Sequence, residues 1–435
     1  MGKQNENIVT VVDIGTAKTV ALVAEITDAG LRYRGHGIAA SRGSRKGIIV
    51  DLDKTADSVK KAMDEAELAA QVPLERAVVG VAGPHIRAVN SQGGIALGAR
   101  AREVSREDIR LAVDKARSIP LPDDRQILHL LPQDFILDQQ EGLRDPAGMV
   151  GRQLEVRVHV ITAAASAVQN VITVMNRAGI HVDDTVYEVL ACSDAVLRSD
   201  ERELGVCICD IGAGSSDVIV YHEGVVVHTA VVPIGGDHFT NDVAVGLRTP
   251  LGDAEKIKRQ FGCAIVTSIP ESTEIEVPSV GDRPSRLVPQ RFLGEVLEPR
   301  ARELVYMLRD NLRQAGVMDM LGSGVVLTGG GARLPGLIEC AEDILRCPAR
   351  LGLPIPMAKL PALLGEPEFA TAIGMIFYAH RSQVLKQREE QGLGKRLRSF
   401  LTRANFGFLI SLAKAIVAKV TGRSLPSGER ATDYL

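Results

Sequence analysis

Residues 8–12 form a continuous apolar run that ends in Asp13-Ile14-Gly15-Thr16, and a second apolar run, 19–26, resumes after Lys18. The pattern predicts two buried strands joined by a tight turn. Within residues 48–70, Val59, Ala62, Met63, Ala66 and Ala69 recur at three- and four-residue spacings and Pro73 follows, which predicts an amphipathic helix and its stop. Residues 78–81 then read as another buried strand. Between 83 and 160 the pattern becomes a smaller α+β one. Ser105-Arg106-Glu107-Asp108 resembles a capping box ahead of a helix through Ile109, Ala112, Val113 and Ala116. Leu154, Val156, Val158 and Val160 alternate with Glu155, Arg157 and His159, a strand with one wet face.

A helix is predicted over 167–178, and residues 206–209 repeat the opening theme. They form a buried strand ending in Asp210-Ile211-Gly212-Ala213-Gly214-Ser215-Ser216-Asp217, followed by a further strand at 218–221. Two strand–Asp–Ile–Gly–turn–strand units, near the start and near the middle of the chain, imply two related lobes. Pro, Ser, Glu and Arg dominate 268–290, a long helical pattern follows over 292–315, and a third buried strand, Val325-Val326-Leu327-Thr328, runs into Gly329-Gly330-Gly331. The expected organisation is a first lobe at 1–82 and 161–200 with an insertion at 83–160. A second lobe at 201–261 and 315–380 follows, with an insertion at 262–314, then a linker at 381–394, an amphipathic helix at 395–424 and a tail at 425–435.

With 435 residues and 45% hydrophobic content the chain can bury two cores. Lys+Arg 51 against Asp+Glu 54 leaves a net charge of −3, so there is no field to draw nucleic acid, and any attraction to a membrane must be local. The cysteines include no Cys-x-x-Cys pair. Cys207 and Cys209 share one apolar run, which reads as small core residues in reduced cytosol. The polar start, Met1 to Asn7, resembles no export signal, and no apolar window is long enough to predict a spanning helix.

A turn that binds phosphate needs backbone N–H groups free to point at it, which glycine permits. Gly15 to Lys18 and Gly212 to Ser216 both qualify, although neither is a Walker loop or a dinucleotide fingerprint. Each taken singly reads equally as an ordinary hairpin. Asp13 and Asp210 close their strands where a cation would sit between two phosphate loops, or else they are turn-forming Asx residues. Lys18 is either a phosphate partner or a solvated strand charge.

The order Asp13-Ile14-Gly15-Thr16-Ala17-Lys18, Asp210-Ile211-Gly212-Ala213-Gly214-Ser215, Thr328-Gly329-Gly330-Gly331 resembles the phosphate-1, phosphate-2 and adenosine motifs of the actin, sugar-kinase and heat-shock-chaperone ATPases. Within that superfamily the chain resembles the FtsA cell-division family. The supporting stretches are Glu203-Leu204-Gly205-Val206-Cys207, Asp253-Ala254-Glu255-Lys256-Ile257-Lys258, Val277-Pro278-Ser279-Val280, Glu298-Pro299-Arg300 and Val326-Leu327-Thr328-Gly329-Gly330. The resemblance implies an α/β actin-like fold with two duplicated lobes, a nucleotide cleft between them, an inserted SHS2-like subdomain and a C-terminal amphipathic helix. It implies ATP on Gly15, Thr16, Ala17, Lys18, Gly212, Ala213, Gly214, Ser215 and Ser216. Gly235 and Gly236 would line the cleft, with Glu255 and Lys258 at the adenine and ribose and Gly329, Gly330, Gly331 and Ala332 at the adenosine. Asp13 and Asp210 would hold Mg²⁺ largely through water. Glu255 and Lys258 also read as an exposed i, i+3 ion pair. Glu188 falls where fast ATPases of the superfamily orient water; FtsA relatives do not generally keep a carboxylate there, so it is a catalytic candidate or simply an exposed glutamate.

The implied partners are the FtsZ C-terminal tail at the second insertion, with Arg286 and Arg300 at family positions, further copies of the chain in actin-like filaments, and later division proteins on the first insertion. Arg286 and Arg300 read equally as surface arginines. In the tail, Leu397, Phe400, Leu401, Phe408, Leu409, Leu412, Ile416 and Val420 fall largely on one helical face, and Lys395, Arg396, Arg398, Arg403, Lys414, Lys419 and Arg423 stand with no acid among them. This composition predicts a helix lying in an anionic membrane surface, against the alternatives of a docked core helix or a short spanning segment at 406–420. The functional expectation is an ATP-binding adaptor, at most a slow ATPase, on the cytoplasmic side of the inner membrane at the division site. A sugar kinase or fast ATPase on the same fold, and a pilus-assembly adaptor, are the alternatives.

Overall fold

The computed structural model describes residues 7–281 and 283–384. The expected membrane residues Leu397, Phe400, Leu401, Phe408, Leu409, Leu412, Ile416, Lys395, Arg396, Arg398 and Arg403 lie outside the described residues.

Two five-stranded mixed sheets share one plan. In the first the order is His181–Tyr187, Arg76–Val81, Ile8–Ile14, Lys18–Thr27, Gly30–Ala40; in the second it is Val225–Val232, Ser216–His222, Val206–Ile211, Val325–Thr328, Ala349–Leu351. Each centres on a hairpin, 8–14 with 18–27 and 206–211 with 216–222, whose first strand also pairs in parallel with a strand from later in the chain. Asp13 lies opposite Val20 and Asp210 opposite Asp217, so the two aspartates hold equivalent places at the ends of equivalent strands.

The central strands read as unbroken apolar runs because both sheet faces are covered. Val12, Ala21 and Val23 pack beneath the helix Leu52–Ala70, which starts on Asp51, whose side chain accepts from the Lys54 N–H at 3.0 Å. Val11, Val20 and Leu22 face the other way and share one core with Val206, Ile208 and Ile219 of the second sheet, with the helix Glu188–Val196 and with a helix that begins at residue 370. Those two helices cross at Gly374, where an added Cβ would fall 2.5 Å from the Ala191 carbonyl carbon. The helix Gln290–Gln314 presents Leu293, Leu297, Ala301, Leu304, Leu308 and Leu312 to the core of the second sheet, together with Cys207 and Cys209. That helix is therefore built into the second sheet's core rather than standing apart from it.

The first insertion is an antiparallel sheet ordered Gln140–Leu143, Arg125–Leu137, Gln153–Ala164, Arg87–Ala96, covered on one face by the helix Arg106–Arg117. Ser105 and Asp108 form the expected capping box, with Ser105 Oγ accepting from the Asp108 N–H at 3.2 Å and the Asp108 carboxylate accepting from the Ser105 N–H at 2.9 Å. The opposite face of this sheet is only partly wet. His159 is 2% exposed because it meets the strand Val225–Val232, with Nε2 3.1 Å from Thr229 Oγ1 and Nδ1 2.6 Å from Asn90 Oδ1. Gln133 Nε2 also donates to the Val226 carbonyl at 2.8 Å. The insertion thus leans on the second sheet as well as on the first.

Candidate functional site

The two Asp-ended hairpins open onto one cleft of about 830 Å³. Gly15, Thr16, Ala17 and Lys18 line it from the first sheet, Gly212, Ala213, Gly214 and Ser215 from the second, and Gly329, Gly330 and Gly331 from the third glycine-rich turn. Asp13, Asp210, Glu188, Gly236, Glu255 and Lys258 also face it. Three of the expected residues stand behind the wall rather than in it. Ser216 is fully buried and donates to the Ile234 carbonyl at 2.7 Å, Ala332 is buried, and Gly235 lies directly under the second turn, where a Cβ would come 2.6 Å from the Ala213 carbonyl oxygen.

Two glycines are dictated by this geometry. Gly329 has φ +81°, and a Cβ there would be driven into the Asp210 carboxylate and to 2.6 Å from the Ile211 carbonyl oxygen. Gly214 lets the two lobes close on each other: its Cβ would stand 2.6 Å from Lys46 Cα and 2.8 Å from Thr16 Oγ1. Thr16 Oγ1 in turn accepts from the Gly47 N–H at 3.0 Å, so a short hairpin, Ser44–Arg45 with Ile48–Ile49, is tied across the phosphate end.

Four carboxyls crowd the floor. Burial, then the charge of Asp210, pushes Asp13 up to about 7 against the pull of Lys18. Asp217 is likewise pushed up to about 7 by burial and Asp210, although the Tyr187 hydroxyl donates to it at 3.1 Å. Glu188 is held well above the carboxylate range by burial and then by Asp13, Asp217 and Asp210. Asp210 is raised by burial even while accepting from the Thr371 hydroxyl at 2.7 Å. So much poorly solvated negative charge favours a cation. Among the described residues no three His, Cys, Asp or Glu side chains converge to ligate a metal directly. The donor set therefore suits a hydrated divalent ion held by one or two carboxylates and by phosphate oxygens.

Glu188 is not the exposed glutamate of one sequence reading: it is half-buried in the cleft floor, against Gly80. Glu255 and Lys258 do form an ion pair, at 2.6 Å, but in the cleft wall. Lys258 Nζ also donates to the Gly236 carbonyl at 3.0 Å and to Thr240 Oγ1 at 2.8 Å. Lys18 Nζ lies 3.3 Å from Glu368 Oε1 and 3.5 Å from the centre of the Phe369 ring. Burial lowers the Lys18 amine, with Glu368 opposing.

Asp217, Thr240, Arg259, Arg333, Glu368 and Thr371 are cleft residues that the motifs did not single out. Asp217 could have been found, since it closes the second phosphate segment; Glu368 and Thr371 carry no local signature. Arg286 and Arg300 lie away from the cleft, and both are engaged within the chain. Arg300 Nε is 2.6 Å from Asp242 Oδ2 and the guanidinium also meets Glu303, while Arg286 donates to the Leu247 carbonyl.

A family model described as "Cell division protein FtsA" matches residues 207–374, and one described as "SHS2 domain inserted in FTSA" matches residues 83–162. A Pseudomonas aeruginosa protein described as Cell division protein FtsA is 43% identical over 381 residues, covering 87% of this chain and 91% of that protein. The Escherichia coli K12 and Bacillus subtilis proteins of the same description are 37% and 34% identical, covering 92% and 88% of this chain and 97% and 86% of their own. Among solved structures, a PilM–PilN type IV pilus biogenesis complex aligns with a TM-score of 0.60 at 17% identity over 85% of this chain and 98% of its own. MreB5 of Spiroplasma citri bound to ADP aligns with 0.52 at 14% identity over 88% of this chain and 98% of its own. At such identities these likenesses speak to fold alone, and the fold is the actin-like one with an inserted SHS2 subdomain.

Proposed function

Because the chain belongs to the FtsA family of cell-division proteins, we propose that it is an ATP-binding, actin-like adaptor that tethers FtsZ filaments to the cytoplasmic face of the inner membrane at the division site. The observation that carries the nucleotide part is the convergence of two equivalent hairpins on one cleft whose floor holds more carboxylate than it can ionise unaided. Gly15 to Lys18 and Gly212 to Ser215 receive the phosphates, Ser216, Gly235 and Ala332 support them from behind, and Glu255, Lys258 and Gly329 to Gly331 receive the nucleoside. Asp13 and Asp210 hold Mg²⁺ mostly through water, and the ion supplies neutralising charge to the phosphates. Glu188 is the candidate to orient a water in the cleft floor, where burial and then Asp13, Asp217 and Asp210 hold its carboxyl well above the usual carboxylate range.

Assembly into filaments multiplies weak membrane contacts. Residues 395–424 carry seven Lys or Arg and no acid, each cation contributing about 1 kcal/mol near an anionic surface. A filament links many such helices, so attachment becomes an avidity effect. The acidic part of the FtsZ tail meets the second lobe near Arg286 and Arg300, and takes Arg300 in exchange for Asp242. Later division proteins dock on the insertion at 83–160.

Co-sedimentation with anionic vesicles tests this reading, using the full chain, a chain ending at Leu393, and Phe400→Glu, each with and without Mg-ATP. Lipid binding by the full chain alone, strengthened by ATP, is the expected result. Equal binding by the truncated chain refutes membrane anchoring by the tail.

A further inference from the structure

Residues 366–371, Glu-Pro-Glu-Phe-Ala-Thr, match no phosphate or glycine-rich motif, yet they join all sides of the cleft. The Gly329 N–H donates to the Pro367 carbonyl at 3.2 Å, which seats the segment against the third glycine turn. The Thr371 hydroxyl donates to Asp210 in the second sheet at 2.7 Å. Glu368 reaches across to the first sheet, with Oε1 3.3 Å from Lys18 Nζ, and the ammonium is backed by the Phe369 ring at 3.5 Å. The other oxygen of Glu368 is 3.7 Å from the Arg333 guanidinium, which Glu366 meets at 3.4 Å. Lys18 and Glu368 keep only 26% and 21% of their side-chain exposure, so water screens the pair poorly.

We propose that Glu368 is a specificity-determining residue of the cleft, an internal stand-in for phosphate that positions Lys18 and must surrender it when a nucleoside di- or triphosphate binds. This rests on the reading of the cleft as a nucleotide site. The exchange is one of charge: Lys18 leaves a carboxylate for a phosphate, and Arg333 remains as the partner of Glu368. A nucleoside without phosphate never competes for Lys18. Each phosphate added to the ligand competes for Lys18 and is repelled by Glu368. The carboxylate therefore sets how steeply affinity rises with phosphate number, and neutralising it steepens that rise.

The test is calorimetric titration of the full chain, as wild type, Glu368→Gln, Lys18→Ala and the double variant, with Mg-ATP, Mg-ADP and adenosine at low and high salt. Removing a poorly screened like charge is expected to tighten ATP about tenfold and ADP less, with adenosine unchanged. The gain shrinks in salt and is smaller in the Lys18→Ala background, where the competition for Lys18 is gone and only the direct repulsion by Glu368 remains. Glu368→Asp restores the wild-type order. Glu366→Gln, which faces Arg333 but not Lys18, leaves the series as in wild type. Should Glu368→Gln not fold, Glu368→Met fills the same space without charge and carries the same expectation. A Glu368→Gln change that is equal for all three ligands, or a loosening of ATP, overturns the proposal while leaving the nucleotide reading intact. Wild-type protein that binds neither ATP nor adenosine overturns both.

Discussion

The crossing of two helices at Gly374 offers the sharpest test of the packing that supports the cleft. Replacing Gly374 by Ala puts a methyl 2.5 Å from the Ala191 carbonyl carbon, 2.9 Å from the Cys192 nitrogen and closer still to the Ala191 carbonyl oxygen. All three are backbone atoms of the helix Glu188–Val196, so no rotamer change relieves the overlap and the helices must separate. Ala191, Cys192, Ile373 and Met375 around them are fully buried, which leaves no slack. Forcing a methyl group into such a core costs about 3 kcal/mol, at the upper end for overpacking. The gain from replacing glycine within a helix offsets about 1 kcal/mol of this. A net loss of about 2 kcal/mol is expected in urea unfolding followed by circular dichroism. Glu188 begins one of these helices and Thr371 lies near the start of the other, so weaker ATP binding should accompany the loss. Gly252→Ala is the control: nothing lies within 4 Å of its added Cβ and it sits in a helix, so it should be neutral or stabilising by about 0.5 kcal/mol. Gly374→Ala unfolding within 0.5 kcal/mol of wild type, or a Gly252→Ala loss of equal size, refutes the reasoning.

Burial holds His129 and His159 down to about 4, and His129 Nε2 accepts the Tyr187 N–H at 2.9 Å, a bond that requires an unprotonated ring nitrogen. Between pH 6.5 and 4 the unfolded chain takes up protons that the folded one refuses, so stability falls on acidification. At pH 5 each histidine removes about 2 kcal/mol. Urea midpoints at pH 7, 6 and 5 should show a shallower decline for His129→Asn, and an unchanged slope counts against the assignment. Gly214→Ala, whose methyl meets Lys46 and Thr16 across the cleft, should weaken Mg-ATP binding by about tenfold, the equivalent of about 1.4 kcal/mol, with unchanged circular dichroism. Ser105→Ala removes the helix cap of the insertion and should cost about 1 kcal/mol, seen as faster amide exchange over residues 106–117.

The duplicated hairpins were readable because their signals are local. An unbroken apolar run, an Asp at the strand end and a glycine turn are dictated by the covered sheet faces and by the backbone freedom a phosphate turn needs, and all lie within about a dozen consecutive residues. The capping box of Ser105 and Asp108 was legible for the same reason. What each half-exposed polar residue faces was not legible. His159 reads as wet from its alternating strand, but the second sheet covers it. Arg300 reads as a partner-binding residue or a surface arginine, and neither reading reveals that Asp242, 58 positions away, holds it. Glu188 reads as exposed or catalytic, and only the meeting of two strand ends places it among aspartates. Thr371 and Asp210 are 161 positions apart, and nothing in the intervening chain encodes their bond. Backbone propensity and apolar periodicity act between near neighbours and so are written in the sequence. Charge pairing and desolvation depend on which distant segments the folded core brings together, and that only the tertiary structure decided.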